Sequence, residues 1–349
     1  MNETSDILFE RRGHAGIVTL NRPKALNAVT HAMVRALAAQ LDAWDKDETV
    51  TRVILRAAGE RAFSAGGDIR ALYELGTQRR YDEALAFWRD EYILNAAIRN
   101  YRKPYMSLID GIVMGGGVGI SVNGAIRVAG DRFQFAMPEV GIGFFPDVGA
   151  TYILPRLPGE LGAWCALTGE RIKAADAVAS GVATHRVASA QFAELTQALS
   201  GSAPVDAILS AFVVPREPPQ LPFAAIDRLF TGARVEEVLA ALDAAAAGGD
   251  NDADFARAAA ANIRTKSPTS LKVALAQVRR GKAWSFQECM RNEFRIVSRV
   301  VRGHDFYEGV CAVIVDKDNA PRWRPDTLAA VSDAEVEAYF APVAAELPL

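Results

Sequence analysis

The 349-residue sequence has few of the residues from which metal centres and disulfide frameworks are built. Its cysteines and histidines are far apart and lack CxxC or HExxH spacing: Cys165, Cys289, Cys311, His14, His31, His185 and His304. This scarcity argues against a disulfide framework and a cysteine zinc site. We therefore expect reduced thiols and no metal ion.

Net charge and long apolar runs are equally scarce. The net charge is -3 at pH 7 and the pI is about 5.9, which gives no overall attraction to nucleic acid or to an anionic membrane. No apolar run reaches the roughly 20 residues of a membrane span, and the N-terminus MNETSDILFERRGHAG has no apolar signal core. We expect a cytoplasmic protein that binds neither nucleic acid nor membrane.

Strand patterns and helix patterns alternate over the first part of the chain. GIVTL and TRVILRA are typical of strands, and Thr30 is placed to cap an amphipathic helix between them. After residue 205 a proline-rich stretch leads into alanine-rich helical patterns, one of which starts at Ser267 and Pro268. The sequence predicts an α/β core over residues 1–204 and a mainly helical region over residues 205–349.

Two glycine-rich segments each lead into a helical pattern, SAGGDIRAL at 64–72 and MGGGVGISV at 114–122. Neither matches GxGxxG or GxxxxGK[ST], and no GxSxG elbow occurs, so the common nucleotide and serine-hydrolase motifs are absent. Glycines here permit either tight strand-to-helix packing or close approach of a ligand carbonyl to unpaired N–H groups. Two such segments favour an oxyanion hole with two donors.

Two acids lie in the otherwise apolar segment FAMPEVGIGFFPDVGATYILPRL, residues 135–157. Glu139 and Asp147 have apolar neighbours, which raise the pKa of a carboxyl group and suit it to general acid/base or nucleophilic roles. A capping role for each acid is an equally plausible alternative from sequence alone.

Together these segments resemble the crotonase (enoyl-CoA hydratase/isomerase) superfamily, and within it the 3-hydroxyisobutyryl-CoA hydrolases. The resemblance rests on NRPKALNA, AFSAGGDI, KPYMSLIDGIVMGGGVGIS, MPEVGIGFFPDVG, ALTGERIKAADAVASGVATH, SPTSLK and RGHDFYEGVCAVIVDKDNAPRWRP, which span nearly the whole chain. It implies a spiral of ββα repeats that binds acyl-CoA, followed by a helical C-terminal region. It leaves homo-oligomerisation open.

The same resemblance implies roles for individual residues. Backbone N–H groups of Gly67 and Gly116 would form the oxyanion hole, and Glu139 would be the catalytic carboxylate with Asp147 as its acidic partner. Glu91, Gly116, Glu139 and Asp147 would contact the substrate. Glu91 is thus a substrate-contacting acid in addition to the two catalytic ones.

One departure from the wider superfamily points to the reaction. Enoyl-CoA hydratases carry a glutamate at the position of Gly119, and hydration needs two carboxylates. Hydrolysis of a 3-hydroxyacyl-CoA, with 3-hydroxyisobutyryl-CoA from valine breakdown as the expected substrate, needs one, which acts as nucleophile or base. An enoyl-CoA isomerase and an inactive CoA-thioester-binding protein are the alternatives.

CoA enters as part of the substrate. Arg22 and Lys24 in the NRPK segment are candidate phosphate contacts, or are ordinary surface charges.

Overall fold

The computed structural model describes residues 6–249 and 251–349. Its strands are β1 (Ile7–Arg12), β2 (Ala15–Leu20), β3 (Arg52–Ala57), β4 (Ala62–Ser64), β5 (Tyr105–Ile109), β6 (Ile112–Met114), β7 (Ile126–Ala129), β8 (Gln134–Ala136), β9 (Ile172–Lys173) and β10 (His185–Arg186).

Its α-helices are α1 (His31–Lys46), α2 (Ile69–Thr77), α3 (Tyr81–Arg99), α4 (Gly116–Ser121), α5 (Ala150–Ile153), α6 (Leu161–Thr168), α7 (Ala174–Ser180), α8 (Phe192–Leu199), α9 (Val205–Phe212), α10 (Phe223–Leu229), α11 (Val235–Gly248), α12 (Ala253–Ile263), α13 (Pro268–Gly281), α14 (Phe286–Val300), α15 (His304–Val310) and α16 (Asp333–Phe340).

The chain forms two compact units, each assembled from three separate segments. The first comprises the segment up to Asp68, Asp90–Ala136 and Arg171–Leu221; the second comprises Ile69–Arg89, Met137–Glu170 and Pro222–Leu349. The predicted division at residue 205 does not coincide with these units, because the chain alternates between them. The predicted α/β class is confirmed, and beyond residue 205 the described chain contains helices but no strand.

The first unit contains two sheets, and consecutive strands from β3 to β8 belong alternately to one sheet and to the other. The larger sheet has the order β1-β2-β3-β5-β7-β10, and the smaller has the order β4-β6-β8-β9. β3, β5 and β7 run parallel to one another, as do β4, β6 and β8. This alternation is the ββα repeat that the resemblance implies.

The parallel pairing in the smaller sheet places functional segments at one edge. The glycine segment around Gly67 follows the carboxyl end of β4, and the segment starting at Gly115 follows the carboxyl end of β6. Because β4 and β6 are adjacent and parallel, their carboxyl ends lie side by side, the usual place for a ligand in such sheets.

The core of the first unit lies against one face of the larger sheet. Apolar side chains of four strands, β2, β3, β5 and β7, pack against α8 and α9. The buried members of this cluster are Ala15, Ile17, Ile54, Met106, Leu108, Val128, Val187, Leu195, Leu199, Ile208 and Leu209. Their burial fixes the strand register, because a one-residue slip would turn this apolar set to solvent.

Predicted helix starts are confirmed by their caps. The Thr30 hydroxyl accepts a hydrogen bond from the N–H of Met33, and Ser267 caps α13 in the same way with Pro268 at the first helical position. Such caps satisfy N–H groups that have no partner within the helix.

In the second unit, the C-terminal helices pack closely against the segment 137–170. A Cβ placed on Gly281 of α13 would lie 1.9 Å from the carbonyl oxygen of Thr151, so these backbones approach at van der Waals contact. The chain of residues 137–170 is therefore shaped by helices that lie more than a hundred residues further along the sequence.

Candidate active site

The first glycine segment is fixed by hydrogen bonds to the NRPKALNA segment. Val29 donates its N–H to the carbonyl of Gly66 and accepts the N–H of Asp68, so Gly67 forms a parallel bridge with Val29. Gly67 lies two residues before α2 begins, so its N–H belongs to an extended segment, whereas the sequence predicted a helix N-terminus.

The second glycine segment does begin a helix, as predicted. Glycine is needed for different reasons at different positions of this segment. Gly115 has φ 45° and ψ −126°, a conformation that side chains rarely adopt. Gly116 is the first residue of α4. A Cβ on Gly117 would lie 2.7 Å from the carbonyl oxygen of Ser64, so this glycine allows β4 and α4 to approach.

The two glycine segments meet beside Gly116. A Cβ on Gly116 would lie 3.1 Å from the nitrogen of Gly67 and 2.6 Å from Oε1 of Glu91. Neither Gly67 nor Gly116 donates its N–H to an acceptor within residues 6–249 and 251–349. The structure therefore brings together two unpaired donors and one carboxyl group, three of the residues that the sequence singled out.

Glu91 lies on α3 and is 2% exposed. Its carboxyl group lies against the open side of Gly116, where any side chain in place of glycine would collide with it. A ligand carbonyl that approaches the Gly116 N–H must therefore pass close to Glu91.

Glu139 begins a short 3₁₀ turn, Glu139–Ile142, which follows β8 by two residues. Three contacts shape this turn. Phe144 donates its N–H to the Glu139 carbonyl, Ser267 donates its N–H to the carbonyl of Val140, and Gly143 has φ 67° where a Cβ would overlap the Asp305 carbonyl. The start of α13 and the start of α15 thus contact the backbone of the turn that carries Glu139.

The Glu139 carboxyl group is buried beside a second acid. Glu139 is 6% exposed, and its Oε2 atom has no hydrogen-bond partner in the described part of the chain. Burial, and after it the negative charge of Asp147, raise the pKa of Glu139 well above its ordinary value. A carboxyl group with a raised pKa ionises closer to neutral pH, which suits a proton-transferring or attacking group.

Asp147 lies in a segment with unusual backbone geometry. Val148 has φ 53° and Gly149 has φ 97°, so two consecutive residues occupy the left-handed region. A β-branched residue is rare there because its side chain crowds its own backbone. Asp147 and Val148 are both buried, so this conformation belongs to the packed interior of the second unit.

A third buried acid, which the sequence analysis missed, contacts this segment. Glu293 of α14 is fully buried, and its carboxyl oxygens accept the N–H of Gly149 at 2.8 Å and of Thr151 at 2.9 Å. Burial, then the charge of Asp147, raise the pKa of Glu293 to about 8. The available signal was spacing: Phe286, Met290, Glu293 and Val297 share the apolar face of α14, where an acid is out of place.

The candidate phosphate contacts have ordinary surroundings. Arg22 donates to the carbonyl of Ala28 and to Asp68, and Lys24 is exposed. Within residues 6–249 and 251–349, no three His, Cys, Asp or Glu side chains are grouped as a metal ion would require. None of the helices described is both long and apolar enough to cross a membrane.

Comparisons with known proteins identify relatives along the whole chain. The family model described as enoyl-CoA hydratase/isomerase matches residues 15–340. A Danio rerio protein named 3-hydroxyisobutyryl-CoA hydrolase, mitochondrial, is 47% identical over 348 residues, which cover 96% of this chain and 89% of the relative. The Homo sapiens protein of the same name is 40% identical, covering 96% of this chain and 88% of the relative.

Solved structures give the same fold under different names. A structure described as a carnitinyl-CoA dehydratase from Mycobacterium thermoresistibile has a TM-score of 0.92 and 46% identity, and it covers 99% of both chains. A structure described as an enoyl-CoA hydratase from Rhodobacter sphaeroides 2.4.1 has a TM-score of 0.88 and 38% identity, covering 97% of this chain and 98% of its own.

The names of the curated relatives contradict one expectation from the sequence. They assign those relatives to mitochondria, so the predicted cytoplasmic location is wrong. The physical reason is that unpaired cysteines argue against an oxidising compartment and do not discriminate among reducing ones.

The burial of Glu293 predicts how stability responds to pH. The pKa of the Glu293 carboxyl group is about 8 in the folded protein and near 4.5 in the unfolded chain, so the folded protein binds this proton more tightly. Proton binding by Glu293 therefore stabilises the fold fully below about pH 4.5, and this stabilisation is lost as the pH rises towards 8. In the Glu293→Gln variant, the side chain at this position is neutral at every pH. In urea titrations, the free energy of unfolding of the wild type minus that of the variant should decrease from about pH 5 to about pH 8. A difference that stays constant would contradict this ionisation.

Proposed function

Since this chain belongs to the enoyl-CoA hydratase/isomerase family, we propose that it hydrolyses the thioester of a 3-hydroxyacyl-CoA, with 3-hydroxyisobutyryl-CoA as its substrate. The relatives named above as hydrolases support the reaction and the acyl group. The observation that carries the proposal is the buried Glu139 carboxyl group with its raised pKa. The chain also has two neighbouring N–H donors, those of Gly67 and Gly116.

Gly67 and Gly116 stabilise the transition state in this proposal. Their N–H groups donate to the thioester carbonyl oxygen, on which negative charge develops when the carbonyl carbon becomes tetrahedral. Donors fixed by backbone structure need no reorganisation during the reaction. Each is worth roughly 3 kcal/mol of transition-state stabilisation.

Glu139 supplies the carboxylate. As a nucleophile it attacks the carbonyl carbon, the C–S bond breaks, and the CoA thiolate leaves and takes up a proton; water then cleaves the resulting anhydride to acid and free Glu139. As a base it removes a proton from a water molecule that attacks the carbonyl directly. Both routes consume one water and yield the free acid and CoA, and both need Glu139 ionised.

Asp147 and Glu91 select the acyl group in the same proposal. A buried carboxylate that accepts a hydrogen bond from the 3-hydroxyl loses that bond when the hydroxyl is missing. Selection of this kind is far stronger than selection by methyl-group size. CoA is part of the substrate, and no metal ion or redox cofactor is required.

Isomerisation or hydration of an enoyl-CoA is the alternative, and it is supported by the similar structures described as a dehydratase and a hydratase. Gly119 argues against hydration, because it lies buried within α4 where it contributes no second carboxylate. Isomerisation needs only one carboxylate and remains the alternative to test. We place the hydrolysis in valine breakdown, the origin of the proposed substrate.

Glu139 should be essential for thiol release. Glu139→Gln keeps the size of the side chain but removes its charge and nucleophilicity, so the release of CoA thiol from 3-hydroxyisobutyryl-CoA should be nearly abolished. Glu74→Gln, on the exposed face of α2, is the control and should leave the rate unchanged. Full activity in Glu139→Gln, measured with a thiol reagent on correctly folded protein, would contradict the assignment.

Gly116→Ala tests the oxyanion hole. The added methyl group would occupy the space beside the Gly67 nitrogen and Glu91, so the substrate carbonyl could not approach, and kcat/KM should fall by about a hundredfold. Gly248→Ala is the matched control, because a Cβ there meets nothing within 4 Å. Equal activity in the two variants would contradict the close approach of the substrate carbonyl to the N–H group of Gly116.

A further inference from the structure

We propose that Glu293 is a positioning residue that fixes Asp147 in the geometry needed for thioester hydrolysis, an inference that rests on the proposed function. Its carboxyl group accepts hydrogen bonds from Gly149 and Thr151, which follow Asp147 by two and four residues. Glu293 therefore contacts the backbone that carries Asp147 rather than the reacting atoms.

The segment needs an external partner because its own backbone conformation is unfavourable. Val148 adopts φ 53° and Gly149 adopts φ 97°. A valine in the left-handed region is strained, and such conformations persist only where surrounding contacts enforce them. The two hydrogen bonds to Glu293 lie immediately after the strained residue, where they oppose relaxation of the chain.

A carboxyl group is the chemical group that fits this place. Its two oxygens each accept one N–H, and both keep a lone pair for this purpose whether or not the group is protonated. A glutamine offers one oxygen in place of two, and the N–H groups of its amide would face one of the two backbone donors. The buried acid on an otherwise apolar helix face is thereby explained by the two donors that it satisfies.

The segment is also fixed at its other end. Gln277 of α13 is fully buried and donates from its amide nitrogen to the carbonyl of Pro146. Asp147 is therefore flanked by contacts from two neighbouring helices, α13 before it and α14 after it. Each helix approaches through one buried polar side chain.

The position of Asp147 acts on Glu139 through charge. The negative charge of Asp147 contributes to the raised pKa of both Glu139 and Glu293. A further titratable neighbour of Glu293 is Cys289, one turn earlier on α14, whose own pKa is raised by burial and by the charge of Glu293. If Glu293 no longer fixes the segment, Asp147 moves and the pKa of Glu139 falls.

Glu293→Gln tests this role through kinetics across pH. We expect kcat/KM for 3-hydroxyisobutyryl-CoA to fall by about tenfold to a hundredfold, the effect of a displacement on the order of 1 Å. The acidic limb of the pH profile should move to lower pH, because Glu139 ionises more readily. Asn292→Ala is the control: Asn292 is the neighbouring residue, and its side-chain amide donates to the Glu288 carbonyl of its own helix. It should leave the limb unchanged.

A double-mutant cycle with Asp147→Asn separates positioning from general destabilisation. Asp147→Asn should itself shift the limb to lower pH, and adding Glu293→Gln should cause no further shift and little further loss, since both act through the same carboxylate. Circular dichroism and thermal melting establish that each variant is folded. If Glu293→Gln does not fold, Glu293→Asp, which keeps the carboxyl group but is too short to reach both N–H groups, takes its place in the cycle.

The outcomes are distinguishable from failure of the proposed function. A wild type that releases no thiol from 3-hydroxyacyl-CoA substrates would overturn the function and with it this inference. An active wild type with an unshifted limb in Glu293→Gln, or with fully additive losses in the double variant, would overturn only the positioning role.

Discussion

The burial of Glu139 next to the negative charge of Asp147 is the constraint on which the rest of the second unit depends. Burying one carboxyl group disfavours its ionised form, and a second acid beside it disfavours that form further. Two such groups remain close only if the surrounding chain prevents them from separating. The C-terminal helices supply this restraint through Ser267, Asp305 and Glu293, which contact the backbone around the two acids.

The glycine segments satisfy a different requirement in the first unit. An oxyanion hole needs N–H groups that no protein acceptor occupies and that a carbonyl oxygen can reach. The parallel pairing of β4 and β6 brings the two segments together, and the absence of a side chain on Gly116 leaves the space beside the Gly67 nitrogen open. The glycines are thus explained by approach distances, at some cost in helix propensity for α4.

Local patterns predicted the alternating strands and helices and the caps at Thr30 and Ser267, because each depends on neighbours in sequence. The roles of Gly67, Gly116 and Glu91 were expected from the family resemblance, and the structure shows that these residues meet. The contact between Glu293 and Gly149 joins residues 144 positions apart, and no local pattern reports it. The interleaving of the two units was missed for the same reason. The spacing of α14 marked Glu293 as unusual, but only the tertiary structure shows what it binds.

The central claim is that one buried carboxylate hydrolyses a hydroxylated acyl-CoA, and an acyl-CoA panel tests it most directly. Purified protein is incubated with 3-hydroxyisobutyryl-CoA, with isobutyryl-CoA and with a 3-enoyl-CoA, and both free thiol and double-bond position are followed. The account predicts thiol release from 3-hydroxyisobutyryl-CoA that exceeds release from isobutyryl-CoA by several orders of magnitude. Migration of the double bond in the 3-enoyl-CoA, with no thiol released from any substrate, would contradict it.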